Sequence, residues 1–155
     1  MSFQELGGLG ELVGGLAVIV SLLYVAFQIR QNTQTVRASN YESVLNGLRG
    51  WHALIASDGE LADIYTRGRA DLASLEPREL VRFTMVMYSV FTNFGVALHL
   101  HQQGMIDAGL LRVFEDGLIK NFDHPGTLTW WMTDDARFLE NWAYIEQKRA
   151  AQQGS

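Results

Sequence analysis

Residues 12–29 read Leu-Val-Gly-Gly-Leu-Ala-Val-Ile-Val-Ser-Leu-Leu-Tyr-Val-Ala-Phe-Gln-Ile, a run of 18 residues without a charged side chain. A helix of this length is long enough to cross the hydrocarbon core of a bilayer. Its mean hydropathy is about 2, which is typical of a membrane span. Because a helix satisfies its own backbone hydrogen bonds, we predict one N-terminal transmembrane helix.

Two other interpretations of this run stay open. A cleaved signal peptide would begin with positive charge and end in a small-residue cleavage site. Here Glu5 and Glu11 precede the run, and no Ala-x-Ala pattern follows Phe27. The other alternative is a buried core helix of a water-soluble protein, but the many glycines between residues 7 and 15 are more typical of helices in membranes.

The flanking cations predict an orientation. Arg30, Arg37 and Arg49 follow the run, and no Lys or Arg precedes it. Cytoplasmic flanks carry the excess of positive charge, so we expect the N-terminus outside and the C-terminal domain in the cytoplasm.

Small residues share one face of this helix. They recur at steps of four, three and four residues, which repeats the helical period, and they are Gly10, Gly14, Ala17 and Ser21. Small side chains let two helix backbones approach closely within lipid. We therefore predict a membrane helix interface on this face, although short patterns of this kind also arise by chance.

Composition bounds the function of the remaining chain. The protein has 155 residues, a net charge of −5 and no cysteine. The absence of cysteine excludes disulfides and thiolate chemistry, and the acidic balance without a basic patch argues against nucleic acid as a partner. We divide the chain into residues 1–29 (N-terminal tail and transmembrane helix), residues 30–150 (helical bundle domain) and residues 151–155 (disordered tail).

The rest of the chain is predicted to be all-α, because no run alternates with a period of two and no hairpin signal occurs. Helical periodicity and breakers predict that the first helix continues to about Ser57, and that four segments follow before a last helix. The four segments are a short helix around Leu61 and Ile64, a helix from Pro77 to Gln103, one from Asp107 to Phe122, and a short helix with Trp130 and Trp131. The last helix is capped by Thr133-Asp134-Asp135 and carries Phe138, Trp142 and Ile145.

The segment 83–106 has two interpretations because it contains no Asp, Glu, Lys or Arg. It has the length of a second membrane span. Its many polar side chains, among them Thr84, Asn93 and His99, favour the buried central helix of a bundle instead.

No residue pattern indicates catalysis, a metal or a cofactor. His99 and His101 lie two residues apart, so they point to different sides of a helix and cannot share a metal as an i, i+4 pair can. Adjacent acids such as Glu115 and Asp116 also point apart. Trp130 and Trp131 are expected to pack in the core, and a partner-binding or membrane-surface patch is the alternative.

One motif is similar to a known group of proteins. Gln28-Ile29-Arg30-Gln31-Asn32 follows the apolar run, and Pro125-Gly126 precedes Trp130-Trp131. In these features the chain resembles an uncharacterised family of small bacterial proteins with an N-terminal transmembrane helix and a C-terminal helical domain. The resemblance implies this architecture and a setting in the bacterial inner membrane, and it implies no catalytic residues.

These observations predict a non-enzymatic accessory or scaffolding subunit anchored in the membrane. Its expected partners are lipid and other transmembrane helices, in a larger complex or in a homo-oligomer. The alternative is a membrane-tethered sensory or ligand-binding domain, which requires a pocket lined by Asn93, His99 and aromatic side chains. An enzyme is a third, weaker hypothesis.

Overall fold

The computed structural model describes residues 3–133 and 141–153, and all regular structure within these ranges is helical. This confirms the predicted all-α class. The α-helices are α1 (Phe3–Ser57), α2 (Gly59–Ala70), α3 (Pro77–Gln102), α4 (Ala108–Ile119), α5 (Pro125–Trp131) and α6 (Trp142–Gln153). Two 3₁₀ helices, Leu72–Ser74 and Lys120–Asp123, precede α3 and α5.

The chain separates into two compact units, Met1–Ser39 and Asn40–Ser155. The predicted division lay at the end of the apolar run, between residues 29 and 30. The observed division lies further along α1, after a polar stretch whose side chains are exposed. We refer to the second unit as the helical domain.

Local capping explains where the helices begin and end. Asp58 Oδ1 accepts a hydrogen bond from the Leu61 N–H at 3.0 Å, and Asp107 Oδ1 accepts one from the Leu110 N–H at 2.9 Å. Each bond satisfies a backbone donor that the first turn of a helix leaves free. Gly104 follows α3 with a φ of 68°, a conformation that favours glycine. These boundaries agree with those predicted.

The third helix is the centre of the helical domain. Phe83, Phe91 and Ala97 have no exposed surface, and α3 packs against both α2 and α4. Its most apolar window has a mean hydropathy of 1.3, long and apolar enough for a span, but 39% of that window is buried within the protein. The packing supports a central bundle helix rather than a second span.

The two adjacent tryptophans are in the core, so their assignment as a possible partner surface is wrong. Trp130 is 1% exposed and Trp131 has no exposed surface. The indole N–H of Trp130 donates to Thr84 Oγ1 at 3.2 Å, and that of Trp131 donates to a carboxylate oxygen of Glu146. The Trp131 ring stacks on Phe91, with ring centroids 4.7 Å apart. Core packing, the interpretation that the sequence favoured, is confirmed.

The last helix differs from the sequence prediction at its end. Helix α6 reaches Gln153 and thus includes residues 151–153, which were assigned to the disordered tail. Ala151, Gln152 and Gln153 are good helix formers, and no breaker precedes Gly154. Residues 154 and 155, and the predicted Asp134-Asp135 cap with Phe138, lie outside the described residues.

Gly126 lets the backbones of α2 and α5 touch, and Gly68 lets α2 pack closely on Phe83 of α3. A Cβ atom on Gly126 would collide with the Gly68 carbonyl oxygen and would lie 2.8 Å from the Arg69 carbonyl oxygen. On Gly68, a Cβ would lie 2.5 Å from Phe83 Cδ2.

We expect Gly126→Ala to lower the free energy of unfolding by about 3 kcal/mol or more, because backbone must move to admit the methyl group. Chemical denaturation measures this change.

Gly117→Ala is the matched control, since a Cβ at this helical position meets nothing within 4 Å. We expect it to raise stability by up to about 1 kcal/mol, the difference in helix propensity between the two residues. Equal effects of the two substitutions would contradict the proposed backbone contact.

An ion pair joins α2 to α3. Arg67 Nη2 lies 2.6 Å from Glu79 Oε1, and Glu79 Oε2 accepts from the Glu76 N–H at 2.9 Å. The hydrogen bonds from Arg67 and from the Glu76 backbone hold the pKa of Glu79 below its ordinary value of 4.5. Because this pKa is depressed in the folded state, its contribution to stability is present above pH 4.5 and is lost as the pH falls further.

We therefore expect Glu79→Gln to destabilise the helical domain at pH 7 and to have a smaller effect at pH 3. Thermal unfolding of the wild type and the variant at both pH values checks this dependence. An effect of the same size at both would show that the carboxylate charge contributes nothing to stability.

Candidate functional site

The apolar segment of α1 is exposed within the first unit. Its large apolar side chains between Leu12 and Ile29 are 48–66% exposed. The helix is long and apolar enough to cross a membrane, with a window of mean hydropathy 2.3 of which none is buried. A core helix of a soluble protein can pass the same test of length and composition, but such a helix is mostly buried.

The predicted interface residues lie on this exposed segment. Cβ atoms on Gly10 and Gly14 would meet nothing within 4 Å, so the backbone is open on this face. Ser21 Oγ donates to the Ala17 carbonyl oxygen at 2.8 Å. This bond satisfies the hydroxyl within the helix, and the serine therefore adds no unpaired donor to an apolar contact.

Polar side chains follow the segment directly. Thr33 and Thr35 each donate their hydroxyl to the carbonyl oxygen four residues earlier, at 2.9 and 3.1 Å. Arg30 and Arg37 are exposed on the same stretch. Cationic and polar residues of this kind are typical of the region next to lipid headgroups.

The second candidate site is a cleft of about 250 Å³ in the helical domain. Side chains from the end of α1, from α3, from α4 and from the following 3₁₀ helix line it. Apolar and aromatic residues predominate, together with one glycine and three polar side chains. The lining residues are Leu48, Trp51, His52, Val90, Asn93, Phe94, Val113, Phe114, Gly117, Leu118 and Asn121.

Hydrogen bonds fix the two carboxamides of the cleft. Asn93 Nδ2 donates to the Gly47 carbonyl oxygen at 3.3 Å. Asn121 Nδ2 donates to the Gly117 carbonyl oxygen at 3.0 Å, and Asn121 Oδ1 accepts from the Tyr65 hydroxyl at 3.1 Å. These bonds tie each amide to a second element of the domain, which holds the polar atoms of the cleft in defined positions.

The predicted pocket residues are only partly brought together. Asn93 and aromatic side chains line the cleft, as the ligand-binding hypothesis required, whereas His99 is exposed further along α3 and does not line it. Trp51, Gly117 and Asn121 were not predicted. The sequence signal that could have indicated this cleft is Gly117, a residue without a side chain among the apolar residues of 113–118 that line it.

His101 and Glu115, which the sequence offered as candidate site residues, make hydrogen bonds and an ion pair within the helical domain. His101 Nδ1 lies 3.2 Å from the Ile106 carbonyl oxygen. Glu115 accepts from the Tyr144 hydroxyl at 2.9 Å and pairs with Lys148 at the same distance, which fastens α6 to α4. Burial and the neighbouring Glu115 raise the pKa of Tyr144. Within residues 3–133 and 141–153, no three His, Asp or Glu side chains cluster as metal ligands would.

No known protein family, curated protein or solved structure matches this chain. The resemblance to small bacterial membrane proteins with a Gln-Ile-Arg-Gln-Asn junction therefore stays a prediction. The exposed apolar segment and the cleft are the two features that bear on the function of this protein.

The open backbone at Gly14 gives a test of the interface. We expect Gly14→Leu to reduce association of the protein in bilayers at least tenfold, since the added bulk separates backbones that must approach closely. Val20→Leu, on another side of the helix, should change association less than twofold. Energy transfer between labelled copies in liposomes measures both. Equal loss, or no loss, in the two variants would exclude the face of Gly10, Gly14, Ala17 and Ser21 as the contact.

Proposed function

We propose that this protein is a membrane-anchored, non-enzymatic accessory subunit that assembles through the apolar segment of α1. The helical domain then lies on the cytoplasmic side of a bacterial inner membrane. Its partners are lipid and other transmembrane helices, either in a larger complex or in further copies of the same chain. Nucleic acid is not among the proposed partners, given the net charge of −5.

The exposed apolar surface of residues 12–29 carries the proposal. Covering one large apolar side chain is worth about 1.5–3 kcal/mol, and this segment has about a dozen of them. Because these side chains are about 60% exposed, leaving them in water forgoes roughly 10–20 kcal/mol of apolar burial, which is comparable with the net stability of about 5–15 kcal/mol that a protein domain has. Lipid or partner helices provide the cover that this unit itself does not.

The charge distribution supports the orientation. Arg30 and Arg37 follow the segment within a short distance, whereas the residues before it carry only acidic charge. Translocating the N-terminal side moves no cation across the bilayer, and the arginines stay on the cytoplasmic side.

Topology is tested with reporter fusions after Gln34 and at the C-terminus. We expect a fluorescent protein to be active and alkaline phosphatase to be inactive at both positions, because both lie in the cytoplasm. Carbonate washing should leave the protein in the membrane fraction. Active phosphatase at both positions would overturn the orientation, and release by carbonate would overturn the span.

Assembly is tested by native mass spectrometry of the full chain purified in mild detergent. We expect a homo-oligomer or a stable complex with another membrane protein. A strictly monomeric protein without a partner would contradict the proposed assembly, while leaving the membrane anchor intact.

The cleft favours a second candidate function, a membrane-tethered domain that binds a small molecule. It is concave and mostly apolar, with a few polar groups at defined positions, which is the usual character of ligand sites. A small molecule that co-purifies with the full chain would support this function. This second function does not depend on how α1 assembles.

A further inference from the structure

We infer that the cleft of the helical domain binds a neutral molecule built on one aromatic ring with an amide-like polar group. This inference rests on the second candidate function, because it names the chemical class of the ligand for that site. Three features of the cleft carry it: its volume, the character of its walls and a lining that, within residues 3–133 and 141–153, contains no Asp, Glu, Lys or Arg.

The volume fits a substituted ring. A dry apolar cavity of about 150 Å³ holds one benzene molecule. The cleft offers about 250 Å³, which leaves room for a ring and a small substituent but not for a drug-sized ligand.

The walls fit the face and edge of such a ring. Trp51, Phe94 and Phe114 approach from three different helices, and Leu48, Val90 and Leu118 fill the space between them. Aromatic side chains favour ring ligands because offset stacked and edge-to-face contacts add to the gain from apolar burial.

The polar part of the cleft consists of carboxamides and an imidazole. Asn93 and Asn121 each use one Nδ2 hydrogen for a backbone carbonyl, and each keeps a second Nδ2 hydrogen and a lone pair on Oδ1. A ligand carboxamide offers the complementary acceptor and donor. His52, whose ring centroid lies 5.0 Å from that of Trp51, completes the polar lining. Because no Asp, Glu, Lys or Arg in the described part of the chain lines the cleft, a charged ligand would lose its hydration without gaining an ion pair from these residues.

Gly117 keeps one wall of the cleft open. A Cβ atom at this position would meet nothing within 4 Å, so a larger side chain enters the free space without a clash. Gly50 is equally unobstructed on α1 but does not line the cleft. Leucine substitutions at these two positions therefore form a matched pair, in which both improve helix propensity and only one fills the site.

The experiment measures saturation-transfer NMR with benzamide and benzoate on the full chain in nanodiscs, with the signal from empty nanodiscs subtracted. We expect benzamide at 5 mM to bind the wild type and benzoate to give at least a tenfold weaker signal. Gly117→Leu should reduce the benzamide signal at least tenfold. Gly50→Leu should leave it within twofold of the wild type.

The outcomes separate the ligand class from the functions proposed above. Equal benzamide and benzoate signals that both disappear in Gly117→Leu would overturn the neutral class but support a binding site in the cleft. A benzamide signal that Gly117→Leu leaves unchanged, or no signal above empty nanodiscs, would overturn both the class and the cleft as its site. None of these results bears on assembly, which native mass spectrometry measures on the same preparation.

Discussion

Removal of apolar side chains from water is the constraint on which the structure depends, and the two units of the chain meet it differently. In the helical domain, α3 buries its aromatic residues against α2 and α4, so the domain forms its own core. In the first unit, α1 has no other element to pack on, and its side chains from Leu12 to Ile29 stay exposed. The cover for that segment must come from outside this unit, and a bilayer supplies it without any specific partner.

Features that depend on nearby residues could be predicted from the sequence. The starts of α2, α3 and α4 follow from Asp58, Pro77 and Asp107, and the end of α3 follows from Gly104. Each of these residues acts within one turn of its own position. The burial of Trp130 could not be derived in this way, because its hydrogen-bond partner, Thr84, lies 46 residues earlier in the chain. Periodicity identifies an apolar face but does not say whether another helix covers it.

The residues that line the cleft could also be predicted only in part from the sequence. Asn93 and His99 were both expected to line a pocket, yet six residues along a helix correspond to a rotation of about 600°, which leaves the two side chains about 120° apart around α3. This geometry alone excludes one of them from any cleft on a single side of α3. Which one faces the cleft depends on where α1 and α4 pack, and only the structure shows that Asn93 does.

The distribution of charge in the helical domain explains why the cleft has a neutral lining. Arg67 and Arg82 pair with acids that hold α2 against α3, and Lys148 pairs with Glu115 where α6 meets α4. These ion pairs are partly exposed, so they retain hydration that a cleft of about 250 Å³ would not provide. Carboxamides can line such a cleft at a lower desolvation cost than charges. For the ligand that we infer, the described lining provides shape and hydrogen bonds from Asn93 and Asn121 rather than charge as the basis of selectivity.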